Sequence, residues 1–363
     1  MTHPYQNLPA KAFWRTAVAN KDMLDITDLW LPKFEVTQKT RIATFGSCFA
    51  QHFGRALRDR NYSWVDGETA PKPLATEDRK KFGYEMFSAR TGNIYTTSLL
   101  KQWISWALGY SEPPSEVWEK DGRFYDPFRP NIEPNGFQSV DEVVKTRTVT
   151  INALNAALRS ANLFVFTLGL TESWSNSHQN YEYPLCPGTV AGEYSEEVHT
   201  FQSQGFSTVL ENLRSSIAMI RSFNRNINFL LTVSPVPLTA TYSGKHVLVS
   251  TSASKAILRA VAETLVHELD YVDYFPSFEI INSPVFKGRF FEENMRSVSP
   301  EGVSFVMENF FKAEKGDLVE TSTKEIEKRK PASAELDRLH EDVLCEEELL
   351  SAFVPLGKDN ETI

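Results

Sequence analysis

Long apolar runs alternate with amphipathic stretches along this chain. Three runs, at 42–45 (IATF), 162–170 (NLFVFTLGL) and 228–238 (NFLLTVSPVPL), are typical of strands buried on both faces. The stretches between and after them have helical periodicity, at about 48–60, 139–161, 206–224 and 250–268. This alternation predicts an α/β fold with a mainly parallel sheet and helices on both of its faces.

The pattern changes at both ends of the chain and once inside it. Residues 1–34 are rich in aromatic side chains without a period, which predicts an irregular N-terminal arm. Residues 111–137 combine Pro, Gly, Asp and aromatics and are expected to form an ordered insertion in an α/β domain over 35–312. Residues 313–363 are highly charged and poor in aromatics, and are predicted to be a tail that is disordered or carries a marginal helix.

Composition narrows the class of protein. The chain has 363 residues, 41% of them hydrophobic and 23% charged, as in soluble globular proteins. Its net charge of −9, without a basic stripe, argues against nucleic acid as a partner and disfavours an anionic membrane surface. The N-terminus lacks a signal peptide pattern, and no run approaches the about 20 apolar residues of a membrane span. A cytoplasmic protein is the default expectation.

The sequence gives no sign of a cofactor or a metal. Three scattered cysteines, Cys48, Cys186 and Cys345, do not form a disulfide framework or a metal motif. Phosphate-loop and dinucleotide fingerprints are missing from the strand-to-helix turn at 46–54. We therefore expect neither a cofactor nor a bound metal.

Polar residues cluster where three strands are predicted to end. Ligands of parallel α/β sheets bind outside the carboxyl ends of the strands. Ser47 lies at such an end, in the turn that leads into the first helix. Its hydroxyl is either a helix cap or a nucleophile beside unpaired backbone N–H groups. Cys48 competes for the role of nucleophile, but its apolar neighbours are more typical of a packing residue.

A series of ordered blocks carries a family resemblance. GSCFA at 46–50 is followed by RTGNIYT at 90–96, DPFRP at 126–130, FTLGLTESW at 166–174, TVSPVPLTAT at 232–241 and MRSVSPEGV at 295–303. In these blocks the chain resembles the GSCFA domain family, which is itself similar to the SGNH/GDSL hydrolases. The resemblance covers about residues 35–312. It implies a flavodoxin-like, three-layer α/β/α fold of the SGNH hydrolase type, with Ser47 as nucleophile.

The resemblance also implies an oxyanion site. The Ser47 N–H, Gly92 and Asn93 would bind the oxyanion, although Asn93 also fits a helix-capping turn. The block FTLGLTESW at 166–174 corresponds to the third block of the SGNH pattern, and we call it the third block. In it Gly169 matches the pattern, while Thr171 and Glu172 stand at its Asn and Asp positions.

The flanking residues of the third block carry further expectations. Thr171 is a candidate hydrogen-bond donor. Glu172 is a candidate orienter of a base or a substrate contact, with a helix-start role as the alternative. Trp174 and the 111–137 insertion are candidates for a sugar-stacking wall, or else core.

The last block departs from the SGNH pattern. Asn294 and Ser297 stand where SGNH enzymes carry Asp and His, so the usual general base is missing. His246 is the candidate replacement, because it follows the strand end at 232–241 and lies on a loop over the same sheet edge as Ser47. Lys255 is a second option, since Ser252 and Lys255 have a known nucleophile-to-base spacing.

These features lead to one hypothesis and two rivals. The first is a serine esterase or O-acyltransferase that acts on a carbohydrate or small ester through an acyl-Ser47 intermediate, so that the expected partner is a glycan or small-molecule substrate. The second is a non-catalytic glycan-binding or scaffolding protein, favoured by the missing Asp and His. The third is another kind of transferase in glycan assembly, with Ser47 only as an anion cap.

Overall fold

The structure is a computed structural model that describes residues 3–314 and 345–354. Its strands are β1 Ile42–Gly46, β2 Trp118–Lys120, β3 Arg123–Tyr125, β4 Leu163–Leu168, β5 Glu172–Asn176, β6 Tyr181–Tyr183, β7 His199–Ser203, β8 Asn228–Val233 and β9 Val272–Tyr274. Its α-helices are α1 Ala50–Asp59, α2 Thr76–Lys81, α3 Thr97–Ala107, α4 Val140–Ser160, α5 Phe206–Phe223, α6 Val247–Glu268, α7 Ser277–Asn282 and α8 Pro300–Glu314.

A parallel sheet in the order β1-β4-β8-β9 forms the centre of the molecule. The chain after α1 adds one parallel bridge, Ile42 with Trp64, on the outer side of β1. With that bridge counted as a rudimentary second strand, the order is 2-1-3-4-5, as in flavodoxin-like folds. The predicted α/β architecture is therefore confirmed.

Both faces of this sheet are covered, which explains the continuous apolar runs. Phe45 and Phe166 point into a core shared with α3, α4, α5 and α6. Ile42 lies three positions before Phe45 and Val165 one before Phe166, so both point to the opposite face, into a second core with α1, α7 and α8. Because successive side chains of a strand alternate between faces, a strand that is buried on both faces is apolar at most of its positions. The result is a three-layer α/β/α arrangement.

The segments outside the sheet are attached by particular contacts. In the arm, Trp30 stacks on Phe310 of α8 with a centroid distance of 5.3 Å. In the 111–137 insertion, the β2–β3 hairpin is followed by Asp126, a buried carboxylate that binds Arg129 and Arg147. The boundaries predicted for the domain, arm and tail stay predictions, and residues 315–344 and 355–363 of the tail lie outside the described residues.

The described part of that C-terminal region packs against the body. Glu346–Phe353 is a 3-10 helix, and Glu346 and Glu347 are buried. No described helix is both long and apolar enough to cross a membrane.

An antiparallel sheet in the order β6-β5-β7 was not predicted from the sequence. Glu172 is the first residue of β5 and so does not start a helix, contrary to one alternative above. Glu182 of β6 attaches this sheet to the start of α3, because its carboxylate accepts hydrogen bonds from the Thr96 and Ser98 hydroxyls. Burial raises the pKa of Glu182 to about 7.

Glu182 is expected to make stability depend on pH. An unfolded glutamate ionises at about pH 4.5, before the buried one does, so rising pH favours the unfolded state. Between about pH 5 and 8 this group should lower the free energy of unfolding by about 2–3 kcal/mol. Urea unfolding of wild type and Glu182→Gln across that range measures the effect, which the variant should lack. Glu119→Gln, at an exposed site on β2, is the control, and identical pH slopes for Glu182→Gln and wild type would contradict the prediction.

Candidate functional site

Gly46 fixes the turn that presents Ser47. It ends β1 with a φ of +130°, and a Cβ at this position would lie 2.4 Å from the Thr167 carbonyl oxygen of β4. Only glycine allows that conformation and that approach together. The Ser47 N–H then donates to the same carbonyl at 3.0 Å. The Ser47 N–H expected in the oxyanion site is thus engaged by β4, because the turn is clamped to its neighbour strand.

The Ser47 hydroxyl does not cap the helix. Helix α1 begins at Ala50, its N-cap residue is Phe49, and no side chain caps it. Ser47 is only 3% exposed, and its Oγ has no hydrogen-bond partner within the described residues. A buried hydroxyl without a partner costs about 1–3 kcal/mol. A buried polar group without a hydrogen-bond partner requires an explanation, and a catalytic role is one such explanation.

Gly92 and Asn93 lie beside the carboxylate of Glu346. Gly92 has a φ of +66°, and the Glu346 carboxylate lies 3.3 Å from where its Cβ would be. The side-chain amide and the backbone N–H of Asn93 both bind that carboxylate, and the Tyr95 hydroxyl donates to it at 2.9 Å. The cap of α3 is Thr96, so the capping alternative for Asn93 is wrong. Asn93, one of the residues expected in the oxyanion site, thus binds a carboxylate oxygen that the chain itself supplies.

Gly169 brings the third block against the serine. A Cβ on Gly169 would lie 2.9 Å from Ser47 Cβ and equally close to the Tyr95 carbonyl oxygen. Its own carbonyl accepts a 2.7 Å hydrogen bond from Lys255 Nζ. Two residues on, the Thr171 N–H donates to Ser254 Oγ at 3.1 Å. This block therefore joins Ser47 to the middle of α6.

Lys255 is a buried amine in this region. It is 2% exposed, and burial lowers its pKa to about 8. An amine with that pKa is partly neutral near physiological pH and able to accept a proton. The Ser-x-x-Lys spacing was a signal for Lys255, although Ser252 does not take part, since its hydroxyl donates to the Leu248 carbonyl.

His246 lies at the start of α6. Its Nδ1 accepts a 3.2 Å hydrogen bond from the Leu248 N–H, so the ring caps that helix, and the residue is exposed. In the described part of the chain no hydrogen bond joins the His246 ring to the Ser47 hydroxyl. Its role as general base stays a prediction.

Glu172 and Trp174 belong to the neighbouring antiparallel sheet. Glu172 accepts a 2.8 Å hydrogen bond from the Thr241 hydroxyl, and burial raises its pKa. Trp174 packs on Tyr242, with a centroid distance of 5.1 Å, and on Tyr194 at 5.4 Å. Tyr242 is 65% and Tyr194 41% exposed, so these rings form an aromatic surface.

The last block forms a turn of its own. The Asn294 side chain accepts from the Arg296 and Ser297 N–H groups and donates to Ser297 Oγ at 3.0 Å. Arg296 reaches from this turn to the C-terminal helix, where Nη2 lies 3.3 Å from Glu347 Oε2. The sequence reasoning missed both Arg296 and these glutamates, because a run of three glutamates in a charged region is typical of a solvated tail.

Cys345 begins the same C-terminal segment. Its thiol contacts that of Cys48, and this hydrogen bond lowers the pKa of Cys345. Burial raises the pKa of both Glu346 and Glu347. Among the described residues no cluster of His, Cys, Asp or Glu could hold a metal ion.

Comparison with known proteins supports the blocks quoted above. No curated protein and no solved structure matches the chain. The model of the GSCFA family matches residues 41–310, which include Ser47, Asn93, Gly169, Lys255 and Arg296. The chain therefore belongs to the GSCFA family.

Proposed function

We propose that this protein is an SGNH-like serine esterase or O-acyltransferase acting on a carbohydrate or small ester. The observation that carries the proposal is the Ser47 hydroxyl, buried without a described partner at the carboxyl end of β1; the Asn93 donors, which already bind a carboxylate oxygen of Glu346, support it. A nucleophile needs such a position, because the tetrahedral oxyanion must form within reach of fixed donors.

The chemistry runs through Ser47. Its Oγ attacks the acyl carbonyl carbon while its proton passes to a base, and the amide and N–H of Asn93 bind the oxyanion. The ester C–O bond then breaks, and the protonated base returns its proton to the leaving alcohol. Water or a second alcohol releases the acyl group by the same steps in reverse.

We propose Lys255 as that base in preference to His246. The Lys255 amine is held by Gly169, whose backbone packs on Ser47, whereas the His246 ring caps a helix. Contacts between a base and its nucleophile are often loose until substrate is bound.

The aromatic surface around Trp174 supports a carbohydrate as substrate. Exposed Tyr242 and Tyr194 flank Trp174 and offer faces on which a sugar can stack. Thr239 and Thr241 connect this surface to the site: the Thr239 N–H binds Glu347, and the Thr241 hydroxyl binds Glu172.

A glycan-binding protein without catalysis is the second candidate. It is favoured by the exposed, self-contained turn at Asn294, where an SGNH enzyme would present its Asp and His.

A fluorophosphonate probe distinguishes the two candidates. Because Glu346 covers the donors of Asn93, the probe is applied to wild type and to full-length Glu346→Ala. We expect a covalent adduct that peptide mass spectrometry maps to Ser47, formed faster in Glu346→Ala and missing after the added change Ser47→Ala. Cys48→Ser, next to the nucleophile, should keep the adduct. No adduct on Ser47 in either chain would contradict catalysis.

A further inference from the structure

The C-terminal segment Cys345–Phe353 places two carboxylates in sites built by the body of the protein. The first site binds Glu346 through Asn93 and the Tyr95 hydroxyl. The second binds Glu347 through the Thr239 N–H at 2.8 Å and Arg296 at 3.3 Å. We call these the Asn93 site and the Arg296 site. Both are made of side chains and N–H groups that belong to the loops at the ends of the strands and to the last block.

Arg296 depends on this segment for its counter-charges. Its Nη1 lies 3.0 Å from Glu348 Oε1 and its Nη2 lies 3.3 Å from Glu347 Oε2. Within residues 3–314 and 345–354, every carboxylate paired with Arg296 comes from the segment. The guanidinium is 15% exposed, and its Nε is buried without a described partner.

An arginine in such a place requires an anion. A guanidinium keeps its charge under all ordinary conditions, and removing one partner of a buried ion pair leaves an uncompensated charge. If Glu347 leaves, Arg296 therefore favours another carboxylate, which fits its planar donors. The Asn93 site also suits a carboxylate oxygen, because the side-chain amide and backbone N–H of Asn93 and the Tyr95 hydroxyl converge on Glu346 there.

We propose that the Arg296 site recognises the carboxylate of an acidic sugar or its ester while the Asn93 site takes the oxygen of the reacting acyl group, and that Cys345–Phe353 is an internal competitor that occupies the same two sites. That the ligand is a substrate rests on the proposed function, while the binding itself does not. An acidic sugar fits this position because the aromatic surface at Trp174 adjoins the Arg296 site through Thr239 and Thr241. Substrate and segment exclude each other, so the segment must leave before Ser47 can react.

Peptide binding tests this proposal without any catalytic step. The full-length Glu346→Ala/Glu347→Ala variant removes the internal carboxylates and keeps the body intact. A fluorescent peptide covering residues 345–354, with Ser for Cys345, is titrated against it, as is the same peptide with Gln for Glu346 and Glu347. We expect the acidic peptide to bind at least about tenfold more tightly, as the loss of charged hydrogen bonds predicts. Adding Arg296→Gln should reduce the difference to the part that the Asn93 site contributes, and glucuronate, but not glucose, should displace the acidic peptide.

Three outcomes would overturn the proposal. These are equal binding of the two peptides, a preference that Arg296→Gln leaves unchanged, and displacement by glucose as readily as by glucuronate. Ser47→Ala in the same chain should leave peptide binding unchanged. A protein that binds the acidic peptide but never labels at Ser47 would contradict the proposed function and leave the carboxylate sites standing.

Discussion

Lys255→Met is expected to lower ester turnover by about 10²–10⁴-fold, the usual contribution of a general base. Methionine fills a similar volume and is well suited to a buried position, so the fold should remain. The measurement is hydrolysis of 4-nitrophenyl acetate by full-length Glu346→Ala, with and without Lys255→Met. The double change Ser47→Ala/Lys255→Met should be little slower than Ser47→Ala alone, because residues that act as one unit have non-additive effects.

The pH dependence of turnover tests the same assignment. Only the neutral amine accepts a proton from Ser47, and burial places the pKa of Lys255 at about 8. Turnover should therefore be low at pH 6 and rise as the pH passes through about 8. A rise near pH 6.5, the ordinary range of imidazole, would point to a histidine base instead.

Two variants serve as controls for Lys255. Lys245→Met removes an exposed lysine from the adjacent loop and should leave turnover within about twofold, since surface substitutions have small effects. His246→Ala should cost some helix stability through the lost cap and leave the pH at which turnover rises unchanged. Loss of turnover in His246→Ala, with Lys255→Met active, would contradict the choice of Lys255.

Asp126→Ala is expected to have the largest effect on stability. The Asp126 carboxylate is fully buried and accepts from Arg129 Nε at 2.8 Å and from Arg147 Nε at 3.1 Å. Burial alone would raise its pKa, but Arg147 and Arg129 hold the pKa of Asp126 below its usual value. Alanine would leave two buried guanidinium groups without this partner, a change that costs about 3–5 kcal/mol in comparable cases.

Urea unfolding followed by circular dichroism measures this loss. Asp141→Ala is the matched control, because the Asp141–Lys145 pair is exposed to solvent and should contribute little to stability. The effect should also reach the site, since the Cα of Arg129 lies 3.9 Å from where a Cβ of Gly92 would be. A loss below about 1 kcal/mol for Asp126→Ala would show that the two arginines find other partners.

The central sheet could be predicted from the sequence because its main strands lie in nearly continuous apolar runs. β1, β4 and β8 are buried on both faces over five or six residues each. The antiparallel sheet gave no such signal: β5 reads ESWSN, with polar residues on both faces, and its partner β7 follows more than 20 residues later.

The site was predictable only as far as its local motifs reach. Ser47, Asn93 and Gly169 stand in blocks with recognisable letters and converge at one sheet edge. Arg296 and Glu347 are separated by 51 positions, and Asn93 and Glu346 by 253. Neither contact can be read from a period or a spacing in the sequence, because each one joins segments that meet only in the folded chain.

The residues of the GSCFA motif at 46–50 have different structural roles. Gly46 lets the turn approach the backbone of β4 closely, because it has no Cβ. Phe49 and Ala50 are buried, at 1% and 0% exposure. Cys48 lies against Cys345, which leaves the Ser47 hydroxyl as the one group of the five with no described partner. Most of the motif therefore specifies how a corner of the sheet is built. We expect a protein with the same motif to form the same turn between β1 and α1. Whether it catalyses a reaction depends on which groups the rest of its chain places near the serine Oγ.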